Sequence, residues 1–469
     1  MSTSQYELAP TYTRFGARAK TEDLGWPTIA LGLLITSFFF TLPLGRFRAV
    51  GFNTDFRLYD FAFIFFFVFA GLPFWGKMRH FWRDSKTFHY WAVVFLFIVW
   101  VSLVVTALVG GPSRTFPALI RAYRFTYYFL TATFIVVIAD TPKRYRFLLN
   151  VLYLNIVVQA IIAFLQGIDI LPNFWPAYWL VAYGDLPVGT LSPHHKQIGI
   201  IMVMGIQLTM SYMRFSQSHI RRLLILVALA AMIMVPIFVG SRTAWLGFAA
   251  LALGYLFVYG KRSVGLILVA TIIVAGVYFL TEDVVQDPLE DQIQSQLIST
   301  IENGGVSALG TGRTNIYTDR IPRAVAEHPW VLLVGSGFQN SATVIRGATA
   351  AHNNYLQALL ELGFFGFAIY IKLLLTILRN LWSTAEQSDD NQVKVVAQDA
   401  WVFFIAVLAT MMVGESFWAQ YSMFTLSGQI LAYVAIASAP LAWPKPPAAE
   451  SELPERNGRS GYLVPARRR

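Results

Sequence analysis

Cysteine is absent from the 469 residues, which excludes disulfides, thiolate nucleophiles and cysteine-ligated metals. Charge is scarce: Asp, Glu, Lys and Arg make up 13% of the chain, against about 25% in a soluble domain. No paired carboxylates of the kind used in glycoside hydrolysis stand out. Before Trp26 there is no short apolar stretch with a small-residue cleavage site, so no cleaved signal peptide is expected. Hydrophobic residues supply 56% of the sequence and aromatics 15%, and the mean hydropathy is +0.54. This is the bulk composition of a membrane protein. Trp26, Trp75, Trp91, Trp179 and Trp245 lie near the ends of apolar runs, as an interfacial belt requires.

The runs predict an all-α polytopic membrane protein with about 12 transmembrane helices, at 26–45, 58–76, 90–110, 116–139, 145–167, 190–213, 220–240, 242–260, 263–281, 353–378, 398–414 and 422–442. With a cytoplasmic N-terminus, every short inner connection is basic: Lys77, Arg79, Arg83 and Lys86; Lys143, Arg144 and Arg146; Arg214, Arg221 and Arg222; Lys261 and Arg262; Arg379 and Lys394. That alternation sets the orientation, with both termini inside. It also explains the net charge of +10 without a nucleic-acid partner. The organisation expected is a cytoplasmic segment 1–25, spans 1–9 within 26–281, an outer helical loop 282–352, spans 10–12 within 353–442, and a disordered cytoplasmic tail 443–469.

The basic residues on the outer side are Arg46, Arg48, Arg57, Arg114, Arg121, Arg124, Lys196, Arg242, Arg313, Arg320, Arg323 and Arg346. All but one are arginine. A topology signal accepts either Lys or Arg, whereas planar, bidentate recognition of phosphate favours Arg. The alternative for each is pairing with an acid or snorkelling to lipid headgroups.

Loop 282–352 opens with a helix signal: Asp287 as cap, Pro288 first and Glu290 third, then Leu289, Ile293, Leu297 and Ile301 as one stripe, ended by Gly304-Gly305. A second helix is expected from about Gly312 to His328, kinked or shortened by Pro322 and carrying Arg313, Arg320 and Arg323. Gly335-Ser336-Gly337 reads as a flexible turn, and a weak signal for a phosphate cradle. His352 then stands where the chain re-enters the membrane. The positive end of a helix disfavours imidazolium and favours the neutral base; a capping or interfacial histidine is the alternative.

Arg313, Gly335-Ser336-Gly337, His352-Asn353-Asn354-Tyr355-Leu356-Gln357, Glu361-Leu362-Gly363 and Gly366, with Gly240-Ser241-Arg242-Thr243-Ala244-Trp245 upstream, resemble the signature of the O-antigen ligase and polymerase family. The resemblance implies a metal-independent, cofactor-free glycosyltransferase on the outer face of the bacterial inner membrane. It would move a glycan from a polyprenyl-diphosphate lipid to a lipid A–core or another lipid-linked repeat unit. It further implies that Arg242 and Arg313 hold the diphosphate and that His352 activates the acceptor hydroxyl. Lys196 stands where some members carry an arginine. Arg320 and Glu415, the latter at the outer end of span 11, complete the expected substrate-binding set; the alternative for Glu415 is an ion pair with one of the outer arginines. The competing reading is a transporter or flippase for lipid-linked glycans. Against it, the halves show no obvious repeat and the spans no cluster of charges.

Overall fold

The computed structural model describes residues 23–49, 52–176, 186–191, 195–260, 316–345, 351–414, 417 and 425–443, with the backbone alone at 45–49, 52–56, 195 and 242. The described chain is overwhelmingly helical. Its first elements are α1 (Gly25–Ser37), a hairpin of β1 (Pro43–Ala49) and β2 (Phe52–Arg57), α2 (Leu58–Phe66) and α3 (Trp75–Arg83). A π turn and a 3-10 turn join α2 to α3. Then follow α4 (Phe88–Gly110), α5 (Pro112–Ile138), α6 (Pro142–Gly167), α7 (His195–Phe215), α8 (His219–Phe238) and α9 (Arg242–Tyr259). Beyond the next described stretch come three short helices, α10 (Ile321–Glu327), α11 (Val331–Val334) and α12 (Ser341–Val344), and then α13 (Asn354–Gln387), α14 (Asn391–Thr410) and α15 (Leu426–Ser438).

Polar residues placed just before apolar runs start most of these helices. Thr87, Thr141, Ser218 and Ser241 accept backbone N–H bonds through their hydroxyls, and Asn353 and Asp390 through their side-chain oxygens. Each satisfies one or two of the donors that a helix start leaves without a partner.

Seven of the described helical runs, with α2 to α3 taken as one, are long and apolar enough to cross a membrane, so this is a multi-pass helical membrane protein. Three more apolar helices are shorter: Gly25–Ser37, Thr243–Tyr259 and Leu426–Ala442. The expected span 263–281 and the amphipathic helix at 287–303 lie outside the described residues. Every residue of α15 is buried, so it lies inside the bundle. There it packs on α5, and the ring of Tyr128 lies where a side chain at Gly428 would go. A helix apolar on all sides belongs inside a bundle. By contrast, α2, α4 and α8 expose Phe61, Phe65, Phe97, Val101, Leu223 and Val227, the surface lipid would cover.

Four expected boundaries shift by seven residues or more: the helical run expected at 58–76 continues to Arg83, and the one expected from 398 begins at Asn391; the other two are larger. The first span was expected to run to 45, but α1 ends at Ser37 and residues 43–49 are a strand, antiparallel to 52–57. Pro43 has no N–H to give a helix and disfavours helical geometry at Leu42. The tenth span was expected to end at 378, but α13 continues to Gln387. Asn380 holds that extension: its Oδ1 accepts the Phe88 N–H at 2.8 Å, and its Nδ2 donates to the Lys86 carbonyl at 3.0 Å.

Candidate functional site

Four helices begin at the same end of the bundle. In α7, buried Lys196 is the second residue. In α9, the Ser241 hydroxyl accepts the Ala244 N–H at 3.4 Å and makes Arg242 the first helical residue. In α13, Asn353 Oδ1 accepts the N–H groups of Tyr355 and Leu356 at 2.9 and 3.1 Å. In α15, Thr425 occupies the cap position.

Direct contacts tie these starts together. A Cβ at Gly199 of α7 would stand 2.5 Å from Ser241 Oγ, and one at Gly414 would stand 3.7 Å from the Thr243 side chain. Gln197 Nε2 donates to Thr425 Oγ1 at 2.7 Å. The Asn354 N–H and Asn353 Nδ2 each donate at 2.9 Å to the carbonyls of Met411 and Met412, just past the end of α14. A helix start carries unsatisfied N–H donors and partial positive charge. In α13 those donors are taken, by Met411 and by Asn353, so the partial positive charge of the four starts, beside Lys196 and the Arg242 position, is what suits this end to an anion.

His352 immediately precedes the Asn353 cap and is half-buried. Its backbone is left-handed, with φ at +51°, a region that non-glycine residues seldom occupy. The neighbouring groups hold it there. The Ala351 N–H donates to Gln357 Oε1 at 3.0 Å. On the other side, the Tyr317 hydroxyl donates to the His352 carbonyl at 3.2 Å. Tyr317 lies on the π turn Ile316–Arg320, so that turn brings Arg320 to the same end. Pro322, at the start of α10, marks the change from π turn to α-helix. Arg313 and Glu415 lie outside the described residues, as does the side chain of Arg242.

The Gly335-Ser336-Gly337 turn is not a phosphate cradle. The N–H groups of Ser336 and Gly337 donate to the carbonyls of Leu360 and Glu361 at 2.8 and 3.0 Å, and Ser336 Oγ also donates to Leu360 at 2.9 Å. Those carbonyls are available because α13 breaks at Gly363, where φ is +67°. Past the turn, the chain enters the bundle beside α4. The Phe338 N–H donates to Ser102 Oγ at 3.3 Å, and its carbonyl accepts from Thr106 Oγ1 at 3.0 Å. Ser336, Phe338, Gln339, Asn340 and Ser341 are all buried. Irregular backbone within a membrane protein needs such protein partners.

Glu361, quoted only as part of a motif in the sequence, is the hub of this region. It is fully buried. Its carboxylate accepts the Gln339 N–H at 2.8 Å and the Ser341 hydroxyl at 3.0 Å, and also bonds the side-chain amide of Gln357. Gln339 in turn accepts from Arg121 NH1 at 2.5 Å. The signal available in the sequence was an acid inside an apolar run.

Other outer arginines have structural partners. Arg124 grips Asp60 through Nε at 3.0 Å and NH2 at 2.7 Å, with Tyr127 donating to the same carboxylate at 3.1 Å. Arg57 donates to the Thr41 carbonyl at 3.2 Å and lies over the Trp175 ring. Arg323 pairs with Asp319 at 2.7 Å in a largely exposed position, where such a pair contributes little. Among the described residues no three His, Asp or Glu side chains gather.

Residues 227–371 match the family model described as O-antigen ligase. The matched stretch runs from within α8 through α9 and the short helices to the middle of α13. It includes Arg242, Arg313, Arg320, His352 and Glu361, but neither Lys196 nor Glu415. No curated protein matches the chain.

Proposed function

We propose, from the match of residues 227–371 to the O-antigen ligase family model, that the chain transfers a glycan from a polyprenyl-diphosphate lipid to an acceptor hydroxyl, at the outer face of a bacterial inner membrane. The acceptor would be lipid A–core in ligation or another lipid-linked repeat unit in polymerisation. The number of crossings is twelve in this reading, with both termini cytoplasmic.

One observation supports it above the others: the Ser241-Arg242-Thr243 and His352-Asn353-Asn354 motifs each open a helix at the same end of the bundle. In the proposed reaction the donor's diphosphate lies against the starts of α7 and α9, held by Arg242, Arg313, Lys196 and Arg320. His352 takes the proton from the acceptor hydroxyl as its oxygen attacks the anomeric carbon. The bond from that carbon to the diphosphate breaks, and polyprenyl diphosphate leaves with its electron pair. Preorganised cations stabilise the charge gathering on it. A single displacement inverts the anomeric centre. Glu415 is assigned to substrate binding in the same reading.

The test is purified protein in liposomes with a polyprenyl-diphosphate-linked glycan. Release of polyprenyl diphosphate that requires an acceptor and is abolished in His352→Ala and Arg242→Ala supports the reading. A protein that moves the donor between leaflets without releasing diphosphate is a transporter, and the reading falls. In cells lacking the gene, unattached full-length polymer indicates a ligase, and glycan of single repeats a polymerase.

A further inference from the structure

His352 has the left-handed backbone that histidine seldom adopts, so something must hold it. Two hydrogen bonds bracket it: Gln357 Oε1 takes the N–H of Ala351 at 3.0 Å, and the Tyr317 hydroxyl donates to the carbonyl of His352 itself at 3.2 Å. Gln357 is a poor anchor alone, because its amide has free rotation about several bonds. Here the other end of that amide is fixed. Its Nε2 donates to Ser341 Oγ at 2.5 Å and to the Glu361 carboxylate. Glu361 is itself immobilised by the Gln339 N–H and the Ser341 hydroxyl. Every member of this chain from Glu361 to Ala351 is buried, where hydrogen bonds to a charged acceptor are strong and directional.

We infer that Gln357, Glu361 and Tyr317 are positioning residues that set the backbone of His352, and through it the direction of the imidazole. The inference rests on the reading of His352 as the base. Its chemical content is that the imidazole must meet the acceptor hydroxyl within a narrow geometry. A displacement of about 1 Å can cost on the order of a hundredfold in rate. The donor diphosphate does not depend on this clamp. Losing it therefore slows the chemical step and leaves donor binding in place. The exchanged pair Gln357→Glu with Glu361→Gln keeps the arrangement. The carboxylate at 357 accepts from Ala351, the amide at 361 donates to it, and the amide oxygen at 361 accepts from Gln339.

The test measures kcat and the donor KM in the liposome assay for Tyr317→Phe, Gln357→Ala, Gln357→Glu and the exchanged pair. Tyr317 lies on a half-exposed turn, so Tyr317→Phe decides the matter even if Gln357→Ala fails to fold. The expected result is a kcat lowered about ten- to hundredfold in the three single variants, a donor KM within about twofold, and recovery of most of the kcat in the exchanged pair. An unchanged kcat in Tyr317→Phe overturns the inference, and so does a loss confined to KM. If the folded exchanged pair stays as slow as Gln357→Glu, the Gln357–Glu361 link is overturned. A wild-type protein that releases no polyprenyl diphosphate overturns the function itself, and that outcome is distinct from all of these.

Discussion

Gly335 and Gly363 lie back to back: a methyl group on Gly335 would stand 2.7 Å from the amide nitrogen of Gly363 and 2.2 Å from the Glu361 carbonyl. In the other direction, a methyl on Gly363 would meet the Leu333 carbonyl at 2.3 Å. Both residues also hold positive φ, +83° and +67°. The obstructing atoms are backbone, so no side chain can swing aside.

Alanine at either position combines a disfavoured backbone conformation with a steric clash, and should cost about 3 kcal/mol or more. The expected outcome for Gly335→Ala and for Gly363→Ala is a large drop in folded, monodisperse protein after detergent extraction, with activity falling in step. Normal yield with normal melting would show that the turn can move away from α13.

The other end of the bundle has its own polar cluster. Asp399 of α14 is fully buried. It accepts from Ser211 at 2.5 Å and Tyr259 at 2.7 Å, and pairs with Arg214 at 3.4 Å. Eleven residues, about 17 Å of helix, separate it from the Thr410 end of α14 that meets the His352 region. Asp399→Ala leaves buried donors without an acceptor and should cost about 2–3 kcal/mol. Turnover per folded molecule should stay within about twofold. A variant that melts normally but turns over slowly would mean that this cluster communicates with the candidate site.

Much of this architecture is legible in the chain because a span and its cap are local. Most of the described apolar runs set their own helices, and Thr87, Thr141, Ser218, Ser241 and Asn353 sit directly before the runs they start. The strand at 43–49 was hidden by its apolar neighbours, although Pro43 was the available cue. What could not be read was pairing across distance. Gly335-Ser336-Gly337 has the composition of a free, anion-binding turn, and only the break at Gly363, more than twenty residues on, shows where its N–H groups go. The left-handed backbone at His352 is likewise imposed from Gln357 and from Tyr317. The arginine surplus on the expected outer side mixed two populations: Arg124, fixed to Asp60, and Arg242, at a helix start.

Charge stabilisation by arginines, a lysine and helix starts leaves no step of the proposed reaction that needs a divalent ion. Treatment with a strong chelator, followed by assay in its presence, should leave the rate of polyprenyl diphosphate release within about twofold. A loss reversed by magnesium or manganese would show that a metal shares the work assigned to Arg242 and Arg313.

The Asp60–Arg124 pair separates an arginine that builds the protein from one that handles substrate. Both side chains are nearly inaccessible, at 11% and 5% exposure, and the guanidinium meets the carboxylate through two nitrogens. Removing one partner strands the other charge inside the bundle, so Asp60→Ala or Arg124→Ala should each cost about 3–5 kcal/mol. Replacing both with apolar residues of similar size strands no charge and removes only the acceptor of two neutral donors, the Tyr127 hydroxyl and the Arg57 backbone N–H. Asp60→Leu combined with Arg124→Met should therefore melt closer to wild type than either of these two substitutions alone, a coupling that the double-mutant cycle reads directly. If Arg124 bound the donor, the double variant would be stable and inactive. The expected result is a double variant whose turnover per folded molecule is within a few-fold of wild type, which would assign this arginine to the fold and leave donor binding to the others.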